Sequence, residues 1–210
     1  MRIDVLCSDP RHPVLPQLHA WCARHAARLC HETTELEGGE FLFLVSCQQL
    51  IGPALRARYR YCLVLHASDL PAGRGMSPHV WQILAGAERI VVSLLDAADP
   101  VDSGAIWQQR AFTLAGHELH DEINALLFDC ELALMDWALA HCAGSQPTPQ
   151  VGTPSYYPRR TPADSQLDPS RPLAEQFNLL RVADPQRYPA FFELHGHRYE
   201  IVLRKRGETS

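Results

Sequence analysis

Two apolar runs that each end in a polar turn constrain the fold of this chain more than any other feature. Residues 63–65 are apolar, and the run stops at His66, which a Ser-Asp-Leu-Pro turn follows. A second run covers residues 90–95 and leads into a loop that carries Asp102. Such runs are typical of strands buried on both faces of a parallel sheet. Because the carboxyl ends of neighbouring parallel strands meet at one edge, we expect His66 and Asp102 to converge there as an acid–base pair.

Strand and helix patterns alternate along the rest of the chain, which predicts an α/β fold with a doubly wound, mostly parallel sheet. A connection rich in Pro, Ser, Thr and Gln covers residues 144–172, and a short helix and a hairpin follow it. The predicted strands are 2–7, 41–46, 61–66, 90–95 and, at the sheet edge, 105–114; the predicted helices are 14–30, 51–58, 77–86, 116–142 and 172–182, and the hairpin pairs 190–194 with 198–203.

The composition argues against several classes of protein. Of the 210 residues, 46% are apolar and 20% are charged, which fits one globular domain. The net charge of -5 argues against a nucleic-acid partner, and no apolar run is long enough to cross a membrane. Residues 1–7 resemble a first strand and not a signal peptide, and the seven cysteines contain no C-x-x-C pair. We therefore expect a reduced, cytoplasmic protein, in which Cys47 is a small buried side chain.

Two histidine-rich segments suggest metal sites at first sight. In His117-Glu118-Leu119-His120, the second histidine comes one place too early for the metalloprotease motif. We interpret this segment as the solvated first turn of a helix and the segment at 195–197 as a hairpin turn, and we expect no metal. His66 differs because it ends an apolar strand, which leaves a catalytic group or a satisfied core histidine as the two interpretations.

Several ordered motifs resemble those of the formyl-tetrahydrofolate-dependent formyltransferases. The resemblance covers roughly residues 40–203, and the segment 156–164 and the closing helix and hairpin are similar to the branch that acts on sugar amines. The motifs stand in this chain as Val64-x-His66-x-Ser68-x-Leu70-Pro71, Arg74-Gly75-x-x-Pro78, Asp102-Ser103-Gly104 and Tyr156-Tyr157-Pro158-Arg159-Arg160-Thr161-Pro162-Ala163-Asp164.

The resemblance implies a transfer of the formyl group of 10-formyltetrahydrofolate to the amine of a nucleotide-linked deoxy-amino sugar. It implies a formyltransferase catalytic domain over residues 1–145, with residues 146–210 packed on it in the same unit. It leaves a homodimer open, and it disfavours a tRNA acceptor, because tRNA-directed members carry a C-terminal barrel domain for which 210 residues leave no space. The implied site residues are His66 and Asp102 for catalysis, Cys47, Gln48, Leu50, Ala98, Asp99 and Val101 for the folate, and Ser68, Arg74, Gly75, Tyr157 and Arg159 for the acceptor.

One departure from the family pattern keeps other functions open. The family has a catalytic asparagine two residues before the histidine, where this chain has Val64. A hydrolase that releases formate from the same folate is one alternative, and a folate- or sugar-nucleotide-binding module without activity is another. The acceptor segment also has two interpretations, because Tyr157 can stack on a nucleobase or anchor the extended connection, while Arg159 or Arg160 can meet a diphosphate.

Overall fold

The computed structural model describes residues 1–207, whose helices and strands alternate in the first two thirds of the chain. The strands are β1 (Ile3–Leu6), β2 (Arg28–Cys30), β3 (Gly39–Leu44), β4 (Tyr59–His66), β5 (Arg74–Gly75), β6 (Arg89–Asp96), β7 (Ile106–Thr113), β8 (Tyr156–Tyr157), β9 (Ala190–Leu194) and β10 (His197–Ile201). The helices are α1 (Leu15–His25), α2 (Pro53–Arg56), α3 (Pro78–Leu84), α4 (His120–His141) and α5 (Phe177–Val182), with short 3-10 turns at Thr33–Glu35, Cys142–Gly144, Pro162–Ser165 and Leu173–Gln176.

A six-stranded sheet in the order β2-β1-β3-β4-β6-β7 organises the described residues. The pairs β1–β2, β1–β3 and β3–β4 are parallel, and β9 and β10 form a separate antiparallel hairpin. The predicted α/β fold with a mostly parallel sheet and a closing hairpin is therefore confirmed. The strand predicted over 105–114 is also confirmed, since β7 lies at the sheet edge.

The direction of β6 contradicts the expected route by which His66 and Asp102 meet. β6 runs antiparallel to β4, so that Leu63 faces Asp96 and His66 faces Ser93. The carboxyl ends of these two strands therefore lie at opposite ends of their shared ladder. Asp102 reaches His66 because the loop after β6 turns back along the sheet. An apolar strand buried on both faces has the same pattern in either direction, so the sequence did not indicate this reversal.

The first helix is shorter than predicted and hides a strand. The predicted helix 14–30 ends at His25, and Ala26 adopts a left-handed conformation with φ 51°. Residues 28–30 then form β2, which pairs with β1. The sequence missed this turn because alanine is neither a usual helix stop nor a usual left-handed residue. Helix α4 likewise begins at His120, four residues later than predicted.

The two faces of the sheet are buried against different partners. A large apolar cluster on one face joins the strands to α1, α3 and α4. A smaller cluster on the other face contains Leu44, Ile51 and Tyr59, and Val64 packs against it. Side chains alternate along a strand, so Val64 and His66 point to this second face. The first cluster includes Trp21, Phe43, Leu63, Ile83 and Leu134.

The last third of the described chain adds no strand to the main sheet, although Thr148 forms an isolated antiparallel bridge with Ile106 of β7. β8 pairs with β5 in parallel, and a third apolar cluster gathers Leu167, Leu180 and Ala190. The short helix and the hairpin lie close to their predicted positions. Division of the chain at residue 145 stays a prediction. None of the helices within residues 1–207 combines the length and the apolar character that crossing a membrane would need.

Candidate active site

His66 ends β4 in a buried position with 6% of its surface exposed. Its Nε2 lies 2.8 Å from the carbonyl oxygen of Gly73. A carbonyl oxygen only accepts hydrogen bonds, so Nε2 carries the hydrogen in the neutral ring. Nδ1 is then the nitrogen with a free lone pair, and it lies 3.6 Å from Oδ1 of Asp102. The geometry makes Nδ1 the atom of this ring that can take up and release a proton.

Asp102 lies in the loop between β6 and β7 with 7% of its surface exposed. Its backbone is left-handed, with φ 59°, and its Oδ2 accepts a hydrogen bond of 2.9 Å from the backbone nitrogen of Gly75. The loop approaches β6 very closely, because a Cβ on Gly104 would lie 1.9 Å from the carbonyl oxygen of Asp96. Only glycine fits at this approach, so the Asp-Ser-Gly sequence has a direct steric reason.

A turn around Gly73 and Gly75 supplies a hydrogen-bond partner to each of these two side chains. Both glycines have positive φ, and a Cβ on Gly75 would lie 2.3 Å from the carbonyl oxygen of Tyr157. The connection holds this turn, because the backbone nitrogen of Gly73 donates to Oγ of Ser155 at 2.9 Å. Tyr157 is half-buried and stacks on Trp81, with ring centroids 6.4 Å apart.

Gln150, which the sequence did not single out, joins the turn that carries Arg74 to the loop that carries Asp102. Its Nε2 donates to the carbonyl oxygens of Asp102 and Gly104, each at 2.8 Å. Its Oε1 accepts a hydrogen bond of 2.6 Å from Nη2 of Arg74. Gln150 thus fixes the Asp102 loop against the turn that carries Arg74. No local pattern distinguishes this glutamine from the other polar residues of the connection, so only the three-dimensional contacts reveal it.

A cavity of about 610 Å³ opens over His66 and Asp102 and extends over both faces of the sheet. We call one part the loop lobe, since it is built by the loops that follow β3 and β6. We call the other part the helix lobe, since it reaches α4. The loop lobe is lined by Cys47, Gln48, Leu50, Ala98, Asp99 and Val101; the helix lobe is lined by His12, His79, Leu127, Glu131 and Tyr188.

The cavity includes most of the residues that the sequence indicated, but not all of them. His66, Asp102, Gly75 and the six loop-lobe residues line it, whereas Ser68, Arg74, Tyr157 and Arg159 do not. Ser68 is buried, and its carbonyl oxygen accepts a hydrogen bond of 2.7 Å from Oγ of Ser93. Arg160 is also buried, where it donates to Oγ of Ser165 at 3.1 Å. Ser68 and Arg160 therefore stabilise the frame around the cavity.

Val64 lies in the wall of the cavity. It is half-buried among Leu44, Ile51 and Ala97, which together form an apolar floor for the loop lobe. Its side chain and that of His66 are on the same face of β4, as the spacing of two predicts. The position of the family asparagine is therefore occupied by an apolar side chain that contacts apolar neighbours.

The two lobes differ in electrostatics. In the loop lobe, Arg56 donates a hydrogen bond of 3.1 Å to Asp99, which lowers the pKa of that exposed carboxyl. Burial raises the pKa of the Cys47 thiol, so this cysteine is a weak nucleophile. In the helix lobe, burial raises the pKa of Glu131 to about 8 and lowers that of His79. The loop lobe therefore carries an ion pair, whereas Glu131 and His79 of the helix lobe are neutral at pH 7.

The histidine-rich segment at the start of α4 is only partly solvated, since His117 is exposed. Glu118 is 9% exposed, and its carboxylate accepts hydrogen bonds from the backbone nitrogens of Ala115 and Gly116 at 2.8 and 3.0 Å. His120 lies 3.6 Å from Asp184 and is half-buried. The expectation of solvation holds for His117 but is wrong for Glu118 and His120, because α5 and the chain after it cover this side of the helix start. The hairpin turn predicted at 195–197 is confirmed, with His195 and Gly196 between β9 and β10.

Comparisons with known proteins agree with the motifs. The family model described as formyl transferase matches residues 17–138, which is more than half of the chain. A methionyl-tRNA formyltransferase of Halorhodospira halophila is 30% identical over 128 residues, covering 59% of this chain and 41% of that protein. One from a Synechococcus species is 27% identical over 202 residues, covering 92% of this chain and 62% of that protein. The chain thus spans less than two thirds of the length of these relatives.

Solved structures share the fold at lower identity. A methionyl-tRNA formyltransferase from Clostridium thermocellum has a TM-score of 0.83 at 20% identity, covering 99% of this chain and 94% of that one. A sugar N-formyltransferase from a Shewanella species has a TM-score of 0.75 at 16% identity, covering 100% and 99%. HypX from Aquifex aeolicus in complex with tetrahydrofolic acid has a TM-score of 0.77 at 17% identity, covering 97% and 37%. The match of the family model over residues 17–138 shows that this chain belongs to the formyl transferase family.

Proposed function

We propose that this protein transfers the formyl group of 10-formyltetrahydrofolate to the amine of a nucleotide-linked deoxy-amino sugar. One observation carries the proposal most directly: Nδ1 of His66 faces the carboxylate of Asp102 at 3.6 Å inside the cavity, while Nε2 is held by Gly73. In this pair, His66 is the proton acceptor, and the carboxylate of Asp102 carries the charge opposite to that of the protonated ring. Amine formylation needs that function, because the attacking nitrogen must lose a proton.

His66 and Asp102 divide the chemistry between them. 10-Formyltetrahydrofolate supplies the formyl carbon. Nδ1 of His66 takes the proton that the amine loses as its nitrogen bonds to this carbon, and it returns the proton to the folate nitrogen as the old carbon–nitrogen bond breaks. Asp102 stabilises the imidazolium between these two events, and such electrostatic help is commonly worth about 3 kcal/mol. The Gly73 carbonyl keeps the ring oriented throughout.

We propose that the loop lobe holds the folate. It is lined by Cys47, Gln48 and Leu50 on one side and by Ala98, Asp99 and Val101 on the other, and we infer that main-chain groups of these two loops bind the pterin. A flat pterin ring has an edge of hydrogen-bonding groups and two apolar faces. The apolar floor that contains Val64 and Ile51 suits such a face. The tetrahydrofolate complex of HypX, which shares the fold, supports a folate site in this architecture.

The segment of residues 156–164 favours the sugar acceptor over tRNA, because it is similar to that of the family branch that acts on sugar amines. The fold itself is shared with the Shewanella sugar N-formyltransferase and with the methionyl-tRNA formyltransferase from Clostridium thermocellum, so it does not separate the two acceptors. Within the proposal, Gly75 lines the cavity and Arg159 donates a hydrogen bond of 3.4 Å to Gln48 of the lining, whereas Ser68, Arg74 and Tyr157 hold the turn in place. Assembly of two copies and a single unit across residue 145 remain part of the same proposal.

Val64 favours a second candidate, a module that binds the folate without transferring its formyl group. The apolar side chain offers no hydrogen bond to a developing oxyanion at this position. Under this candidate the loop lobe would still bind tetrahydrofolate, and no formyl group would leave.

A direct test uses purified protein with 10-formyltetrahydrofolate and a panel of nucleotide-linked amino sugars. We expect one sugar to gain the mass of one formyl group, and we expect His66→Ala to abolish the gain while still binding tetrahydrofolate. Release of formate without any acceptor would instead identify a hydrolase. Folate binding without either product would support the binding module and contradict the proposal.

A further inference from the structure

Glu131 is a buried acid that the proposed chemistry does not use. It lies in the middle of α4, is 4% exposed, and lines the helix lobe. Its Oε2 makes no hydrogen bond within residues 1–207. Asp4 shows the usual arrangement for a buried carboxyl, since it is fully buried and receives two hydrogen bonds of 3.0 Å from Arg28. A buried acid without a partner in the chain needs a partner from outside it, and a ligand in the adjacent cavity can supply one.

The groups around Glu131 carry little charge. Burial lowers the pKa values of His12 and His79, so both rings are neutral at pH 7. Cys7 lies near enough to feel the charge of Glu131, and burial raises the pKa of its thiol to about 11. Arg187 is held by Asp9 at 2.7 Å. With Glu131 itself protonated below pH 8, the helix lobe has hydrogen-bonding groups without a net charge.

The position of this lobe relates it to the acceptor. His66 and Asp102 border both lobes of one cavity. If the folate fills the loop lobe, the acceptor must reach His66 from another side, and the helix lobe is the remaining part of the cavity. This step rests on the proposed function.

We propose that Glu131 binds an uncharged hydroxyl group of the acceptor and so selects the acceptor in the helix lobe. A protonated carboxyl donates one hydrogen bond and accepts another. A sugar hydroxyl can accept the first and donate the second, so the two groups are complementary. An ammonium group would have to leave water for a lobe whose acid is protonated, and a phosphate would find only the guanidinium of Arg187, which Asp9 already holds at 2.7 Å, so burial of either group is costly. The imidazoles of His12 and His79 can serve further hydroxyl groups in the same way.

The test compares two substitutions of similar volume. Glu131→Gln keeps a neutral donor and acceptor, whereas Glu131→Leu keeps only the volume. The probe is dTDP-linked 4-amino-4,6-dideoxyglucose, and its dissociation constant is measured by calorimetry on protein saturated with tetrahydrofolate. We expect the leucine variant to bind the probe at least tenfold more weakly and the glutamine variant to stay within about threefold of the wild type. The dissociation constant of tetrahydrofolate should be the same in all three proteins.

Each other outcome has a distinct meaning. Equal binding of the probe by the leucine variant would overturn the proposal. Equal loss in the glutamine and leucine variants would show that Glu131 binds as a carboxylate, to the ammonium group, and would overturn the hydroxyl assignment. Absence of probe binding by the wild type would also overturn it. If the leucine variant does not fold, Glu131→Met provides a flexible apolar replacement. Probe binding without formyl transfer would contradict the proposed function alone.

Discussion

Asp102 and Glu131 are two buried carboxyl groups in one cavity with opposite surroundings. Their exposed fractions are similar, 7% and 4%. Asp102 accepts a hydrogen bond from the backbone of Gly75 and faces the imidazole of His66. Oε2 of Glu131 receives no hydrogen bond from the described residues. Exposure therefore does not decide what a buried carboxyl can do; the donors around it decide.

The difference has its origin in the elements that carry the two side chains. Asp102 lies in a loop, where neighbouring backbone N–H groups such as that of Gly75 are free to point at a carboxylate. Glu131 lies in the middle of a 22-residue helix, where the backbone N–H groups are used by the helix itself. Only a side chain or a ligand can provide its partner. A loop thus suits a charged carboxylate, and a helix interior suits a neutral carboxyl.

The same chemical change at the two carboxyls should separate their roles. Asp102→Asn removes the charge that stabilises an imidazolium at His66, so we expect turnover to fall by about two orders of magnitude or more. Glu131→Gln should leave turnover within a few-fold. Steady-state rates with 10-formyltetrahydrofolate and the acceptor found in the screen measure both. Equal losses of turnover in the two variants would show that the different surroundings of Asp102 and Glu131 do not determine their roles in the reaction.

The pair of His66 and Asp102, which we propose is catalytic, was predictable because both residues lie in short motifs with a local structural reason. His66 ends an apolar strand, and Gly75 and Gly104 stand at close approaches where a side chain does not fit. The sequence could not show that β6 runs antiparallel to β4, because burial on both faces conceals strand direction. We thus expected His66 and Asp102 to converge because two parallel strands would end at one edge, and this reason was wrong. The two residues meet because the loop after β6 turns back towards His66.

Gln150 and Glu131 were missed for different physical reasons. Gln150 is one polar residue among many in an extended connection, and its three contacts are distant in sequence. Glu131 lies in a helix with an apolar stripe, and in such a helix a single acid is predicted to be exposed to solvent. Only the fold brings the first into contact with Asp102 and buries the second.

The second prediction concerns stability. Glu131 has a folded pKa of about 8 against an ordinary value of 4.5. Above pH 4.5 the unfolded chain releases this proton, whereas the folded protein keeps it up to about pH 8. The free energy of unfolding therefore falls as the pH rises from about 4.5 to 8. The glutamine of the Glu131→Gln variant cannot ionise, so this variant should not show the fall in the free energy of unfolding, which is on the order of a few kcal/mol at pH 8.

Urea unfolding of the wild type and of Glu131→Gln at several pH values measures this effect. The quantity to compare is the difference in the free energy of unfolding between the two proteins. The neutral histidines His12 and His79 contribute a slope of opposite sign in both proteins, so the difference cancels them. A difference that does not change between pH 5 and pH 8 would show that Glu131 is ionised in the folded protein.

The third prediction concerns the link between the two catalytic motifs. Gln150→Leu keeps the approximate volume and removes three hydrogen bonds, to Asp102, Gly104 and Arg74. Asp102 should then be held less accurately, and we expect turnover to fall by about tenfold while the Michaelis constant for 10-formyltetrahydrofolate changes little. Gln150→Glu is the matched control, since it keeps the acceptor for Arg74 but loses the donor. Unchanged turnover in both variants would make Gln150 a purely structural residue.

The smallest effect is expected at Val64, where the chain departs from its family. Val64 is on the same face of β4 as His66. It packs against Leu44, Ile51 and Ala97. Val64→Asn would place an amide in this apolar floor and leave part of it without a partner, which costs about 1–3 kcal/mol of stability. We expect a loss of turnover of a few-fold, because the floor also shapes the loop lobe. Val64→Thr has nearly the same shape and no amide, so it separates polarity from the amide itself. A gain of turnover in the asparagine variant alone would reverse this view: the site would then lack an oxyanion donor that the family asparagine provides, and Asp102 and His66 would be working without their third partner.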